Sequence, residues 1–131
     1  VGLDYRRTPE GQLRLFTHGG TVGSDHDPID YAQRMQDCHA GEILLCSIDR
    51  DGTMSGYDVD LIHTISEKLD IPLIASSGAG TLAHCVEALD AGASAITISS
   101  MFLFSDHSPI KVRTYLSTNG HAVRSQLGSH S

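Results

Sequence analysis

The chain has 131 residues, 40% of them hydrophobic and 5% aromatic with no tryptophan, which suits one aliphatic α/β core and leaves little room for a second domain. A formal charge of −7 without any lysine/arginine run excludes a nucleic-acid backbone as the expected partner, so any phosphate would have to be held locally by backbone N–H groups. No apolar run approaches the ~18 residues that span a bilayer and nothing resembles a signal peptide, so a soluble, cytoplasmic protein without a membrane partner is expected.

The chain opens on Val1 in "VGLD", already apolar, like a strand entered midway. "QLRLFTH" alternates like a short exposed strand, and "DPIDYAQRMQDCHAG" reads as a helix with Pro28 in its first turn. "EILLCSI" (Glu42 to Ile48) predicts a strand, followed by the polar loop "DRDGTMSGYD" and the helix "VDLIHTISEKLD". In that helix Leu61, Ile62, Ile65 and Leu69 recur at helical spacing, leaving Asp60, Glu67 and Lys68 outward. "IPLIA" (Ile71 to Ala75) leads through "SSGAG" to a helix that Thr81 can cap and Gly92 can stop, its buried face formed by Leu82, Cys85, Val86 and Leu89. "SAITIS" (Ser94 to Ser99) predicts the last strand, and a final helix runs from about Pro109 to Asn119. Residues 1–124 thus form one unit, and 125–131 a polar tail expected to be disordered.

The repeat is βα, four times over, with strands at Val1, Ile43, Ile71 and Ala95. Near-continuous aliphatic strands buried on both faces indicate a parallel sheet. Four units are half the complement of a (βα)8 barrel; the alternative is a small open doubly wound sheet. An open four-stranded sheet would present two bare edges and much apolar surface, so self-association is expected of the isolated half.

In such sheets function gathers at the C-terminal strand ends. The loops there carry Gly52, Thr53, Ser55 and Gly56; Ser76, Ser77, Gly78 and Gly80; and Ser99 and Ser100. Small and hydroxyl residues let backbone amides approach an anion, and a following helix N-terminus adds its dipole. Any one such loop is explained by turn geometry; three in succession suggest one shared phosphate site. Asp4, Asp49 and Asp51 stand at strand ends, where a carboxylate can act as general acid or base. Asp49 also reads as an ion-pair partner of Arg50 or a loop cap. "DRDGTMSGYD" fails the calcium-loop register, since Gly52 follows Asp51 at once and no terminal glutamate closes it, so no metal is expected. The scattered Cys38, Cys46 and Cys85 read as reduced thiols, and His18, His39, His63, His84 and His107 show no paired spacing. Glu42 stands at the N-terminal entrance of an aliphatic strand, either pointing to the bottom of a barrel or simply exposed.

"AGEILLCSIDRDGTMSGYD", "IPLIASSGAG", "VEALDAGASAITISSMFLF", "YLSTNGHAVR" and "FTHGG" resemble the cyclase subunit of imidazole glycerol phosphate synthase, which acts in histidine biosynthesis. The resemblance spans nearly the whole chain. It implies the C-terminal half, strands five to eight, of a (βα)8 barrel built from two similar halves. It further implies Asp4 as one of two catalytic aspartates, Asp51 as an acidic residue at the site rim, and Gly52, Gly78, Ser99 and Ser100 at one of two phosphate sites, with Ser76 beside them. Glu42 corresponds to a charged residue gating the channel through which a glutaminase subunit supplies ammonia. The implied reaction is an ammonia-dependent lyase and cyclase step on a phosphorylated small molecule, without a cofactor. The other aspartate and the second phosphate site belong to the family's N-terminal half. Three positions depart from the family: Cys46 stands in place of threonine, and Ser77 and His39 in place of glycine. "DPIDYAQ" and "DGTM" also resemble a paralogous group that works with a glutaminase-like partner in making bacterial surface sugars.

Overall fold

A computed structural model describes residues 1–17, 22–99, 101–102 and 107–124. The strands are β1 (Gly2–Arg7), β2 (Leu13–Thr17), β3 (Val22–Gly23), β4 (Ile43–Ser47), β5 (Leu73–Ser76) and β6 (Ala95–Ile96). The helices are α1 (Pro28–Asp37), α2 (Val59–Lys68), α3 (Leu82–Asp90) and α4 (Pro109–Thr118). Among the described residues they form one six-stranded sheet in the order β3-β2-β1-β4-β5-β6. The expected βα strands β1, β4, β5 and β6 pair parallel to one another in sequence order.

The sheet has more strands than the βα repeat alone predicts. A turn in which Gly11 N–H donates to Thr8 O (2.8 Å) returns the chain as β2, antiparallel along Asp4 to Arg7 of β1, and β3 pairs in turn with β2. One of the two edges expected to be bare is therefore largely occupied by a hairpin.

Each crossover from β1 to β4, β5 and β6 steps one place in the same direction. Right-handed crossovers that never reverse put every helix on the same face. Burial alternates accordingly: Leu3 and Tyr5, Ile43, Leu45 and Ser47, and Leu73 and Ala75 are buried, while Asp4, Leu44, Cys46, Ile74 and Ser76 between them are half-buried or exposed. The expectation of strands buried on both faces is corrected here, because Leu44 and Ile74 make the runs continuous from a face that no helix covers among the described residues. The doubly wound alternative, which needs a reversal of direction, is excluded for this sheet.

The helices follow their sequence signals closely. Asp27 accepts from Ile29 and Asp30 N–H with Pro28 in the first turn, Thr81 Oγ1 accepts from His84 N–H (3.2 Å), and Ser108 precedes Pro109 in α4. Leu61, Ile62 and Ile65 of α2 are buried against the sheet, each stabilising by roughly 1.5–3 kcal/mol. In α3 the fully buried side chains are Cys85 and Ala88, with the predicted Leu82, Val86 and Leu89 only partly covered.

Burial raises the phenols of Tyr5 and Tyr57 well above their ordinary 10.0, Tyr5 further because its hydroxyl faces the Asp58 carboxylate, and burial pushes the Cys85 thiol from 9.0 up to about 11. The fold holds the neutral forms, so the unfolded chain loses these protons first as pH rises. Stability is full below 9.0 and falls through the interval from 9.0 to 11 and beyond. Alkaline melts are expected to show Tm declining across that interval, with the tyrosinate absorbance of Tyr5 and Tyr57 appearing only as helical signal is lost. Their full ionisation with the helices intact near the ordinary 10.0 would contradict this.

Candidate functional site

Above the C-terminal ends of β4, β5 and β6 lies a small cleft lined by Asp51, Gly52 and Met54 from the first loop, Ser77, Gly78 and Ala79 from the second, and Thr97 and Ser99 from the third. Two hydrogen bonds join these loops, and Arg50 braces the first of them. Gly56 N–H donates to Gly78 O (2.7 Å), joining the first two through their backbones. Arg50 Nη1 donates to Gly56 O (3.2 Å) and Tyr57 O (3.3 Å), folding the first loop back on itself. Tyr57 Oη donates to Thr97 O (2.7 Å), tying that loop to the segment after β6.

Close approach explains the glycines. At Gly78, where φ is +114°, a Cβ would collide with the Gly56 carbonyl, and at Gly80 one would collide with the Met54 carbonyl. Gly80 N–H donates to His84 Nδ1 (3.1 Å), so the His84 ring receives the loop end while Thr81 caps α3. The cleft thus stands beside the N-terminal end of a helix, and among the described residues its lining carries no basic side chain. An anion there would be held by main-chain N–H groups and the α3 dipole, with Asp51 limiting how much negative charge is welcome.

Of the sequence-predicted residues, Asp51, Gly52, Gly78 and Ser99 are brought together at this cleft. Ser76 is not a wall of it: its Oγ accepts from Thr97 Oγ1 (2.7 Å) at the sheet end below. Ser100 and the 125–131 tail lie outside the described residues. Glu42 is exposed just before β4, at the opposite end of the sheet, and its carbonyl accepts from the Val1 amine (3.0 Å).

Two carboxylates are placed differently than expected. Asp4 does not end its strand; it is the third of six residues in β1, because pairing with β2 extends the strand through Tyr5, Arg6 and Arg7. It is exposed on the helix-free face, in register with Cys46 and through it with Ser76. Asp49 pairs with Arg6 Nε (3.6 Å) and accepts from Arg7 N–H (3.0 Å), because Arg50 is engaged by the loop carbonyls.

The departures from the family pattern also acquire a structural meaning. His39 and Ser77 adopt positive φ, +67° and +79°, where glycine is most at ease. Cys46 Sγ lies 3.0 Å from Ser77 Oγ, so two of the three departures touch each other. Met54, Ala79 and Thr97 line the cleft without having been singled out from sequence. Thr97 alone offered a signal, being two residues before Ser99 on an alternating strand.

Among the described residues no three His, Cys, Asp or Glu side chains converge as a metal set would, and no helix is long and apolar enough to cross a membrane. A sheet whose βα strands are parallel and wound in one direction, with a small cleft at their C-terminal ends, defines a βα-repeat protein. Residues 1–108 match the family of histidine biosynthesis proteins, and the chain belongs to it. Imidazole glycerol phosphate synthase subunit HisF of Streptomyces griseus subsp. griseus is 44% identical over 124 residues, covering 95% of this chain and 49% of that protein. The HisF subunits of Streptomyces coelicolor and Streptomyces avermitilis are 43% and 42% identical over the same share of each chain. The chain therefore spans about half the length of the curated relatives it matches.

Proposed function

We propose that this chain works as the C-terminal half of a (βα)8 cyclase of the imidazole glycerol phosphate synthase type, in the cytoplasm. The observation that carries this reading is the sheet register. Asp4, Cys46 and Ser76 form a row across three adjacent strands of the helix-free face, with its Ser76 end lying one residue before the cleft wall at Ser77. Two strand spacings separate Asp4 from Ser76, roughly 10 Å, a length that a phosphorylated sugar chain can span. One phosphate of the substrate sits in the cleft, on Gly52, Gly78, Ser99 and Ser100, with Ser76 beneath and Asp51 at the rim. The Asp4 carboxylate, standing in the path of the substrate, acts as general acid and base. A second aspartate and a second phosphate site come from a complementary half. Ammonia from a glutaminase partner enters past Glu42 at the opposite end, kept from water until it reaches the substrate.

Supplying the N-terminal half of the Streptomyces griseus subunit tests this. The reconstituted protein should form imidazole glycerol phosphate from its ribonucleotide precursor with ammonia, and Asp4→Asn should lower turnover by roughly 10²–10⁴-fold. Unchanged turnover in Asp4→Asn would remove Asp4 from the mechanism.

A second reading is favoured by the same helix-free face, where Leu44 and Ile74 remain partly exposed. There the chain is a non-catalytic half-barrel that pairs with another copy and retains phosphate binding. Reconstitution that yields no turnover, with the chain alone sizing as a dimer, would select it. Turnover on a surface-sugar precursor, and not on the histidine-pathway one, would select the paralogous substrate.

A further inference from the structure

We propose that Ser77 is a specificity-determining donor to the bound phosphate and that Cys46 positions it; this rests on the phosphate reading of the cleft. Along "SSGAG" only the two serines carry a hydroxyl, Ala79 lining the cleft with a methyl group alone. Gly78 and Gly80 can carry no side chain, because a Cβ at either would strike the Gly56 or Met54 carbonyl. Ser76 is not a wall of the cleft, its Oγ accepting from Thr97 Oγ1 (2.7 Å) at the sheet end below. Ser77 remains, a wall of the cleft with a side chain, held at φ +79° in a conformation that side chains avoid. Strain of this kind persists where the surroundings impose it, and it gathers at ligand sites.

The Ser77 hydroxyl meets a sulfur, Cys46 Sγ at 3.0 Å. A thiol is a weak acceptor and a weak donor. With the thiol donating to Ser77 Oγ, the rotamer is fixed and the hydroxyl proton stays available for a stronger acceptor, the phosphate oxygen. Cys46 lies in the register row between Asp4 and Ser76, so the pair links the cleft to the row on which the rest of the substrate lies. The chemistry recognised is a phosphate monoester whose oxygen accepts one side-chain O–H besides backbone N–H donors.

Titration of the intact chain with inorganic phosphate, alongside thermal melts, separates the outcomes. Ser77→Gly should melt higher, since glycine relieves the backbone, and yet bind phosphate about tenfold more weakly, as expected on losing a hydrogen bond to a charged group. Ser77→Ala should lose the same affinity without the gain in melting temperature, which separates the hydroxyl from the strain. Cys46→Ala should weaken binding a few-fold and Cys46→Ser should restore it. If Ser77→Gly and Ser77→Ala bind phosphate as tightly as the unaltered chain, this inference is overturned while the phosphate site stands. If the unaltered chain itself binds no phosphate, the reading of the cleft falls, and this inference with it.

Discussion

Gly78→Ala is expected to lower Tm by about 10 °C or more and to abolish phosphate binding at the cleft. Two independent penalties act at this position. The backbone sits at φ +114°, which a side chain tolerates poorly, and the new Cβ would lie inside the contact radius of the Gly56 carbonyl. Relieving the overlap means separating the two loops, which breaks the Gly56 N–H bond to Gly78 O (2.7 Å). Together these amount to roughly 3 kcal/mol or more, a large fraction of the stability of a domain this size. Gly41→Ala is the control, because nothing lies within 4 Å of its Cβ and its φ is not positive. If the Gly78 variant melts and binds like the control, the backbone lock between the loops does not hold the cleft.

Asp58→Ala should destabilise by about 3–5 kcal/mol, a figure typical of removing one partner from a buried charged network. Asp58 is 7% exposed and serves three partners at once. Its Oδ2 accepts from Tyr5 Oη (2.9 Å) and Arg7 Nη2 (3.1 Å), and its Oδ1 accepts from Leu61 N–H (3.4 Å) as the cap of α2. Alanine would leave a buried phenol without its acceptor and an uncapped helix, the cap alone contributing about 1 kcal/mol. Arg7 is half-exposed and can turn to water, so its share of the loss is small. Asp58→Asn, which keeps an acceptor, should cost less than half as much. Chemical denaturation of the two variants side by side makes the comparison, and equal losses would point to charge instead of hydrogen bonding.

Helices were the most legible part of the sequence because their signals are local. Thr81, Pro28 and the spacing of Leu61, Ile62 and Ile65 each act within a few residues of where they are read. The three glycine-rich loops were legible for the same reason, and their convergence follows from parallel strands sharing one C-terminal end. What escaped is long-range. Leu44 and Ile74 are as apolar as their buried neighbours, so nothing in the strands says which face the helices leave open. The true length of β1 was hidden by Arg6 and Arg7, which end the apolar pattern but not the strand, since β2 supplies their backbone partners. Arg6 with Asp49 and Cys46 with Ser77 are neighbours across 43 and 31 positions of sequence respectively, distances over which no local pattern operates. Asp4 and Asp51 both stand near strand ends in the sequence pattern; the structure places the first on the sheet face and the second at the loop rim.

The β2–β3 hairpin has a consequence for assembly. Because β2 takes up the edge of β1 from Asp4 to Arg7, an incoming strand on that side finds open backbone only over the first few residues of the chain. The hairpin is a doorstop: another sheet can dock beneath it, and sliding upward by one residue pair runs into occupied hydrogen-bond positions. The opposite edge, β6, has no such obstruction among the described residues. Among the described residues the two sides of the sheet are thus unequal, one shortened by the hairpin and the other ending on the bare backbone of β6.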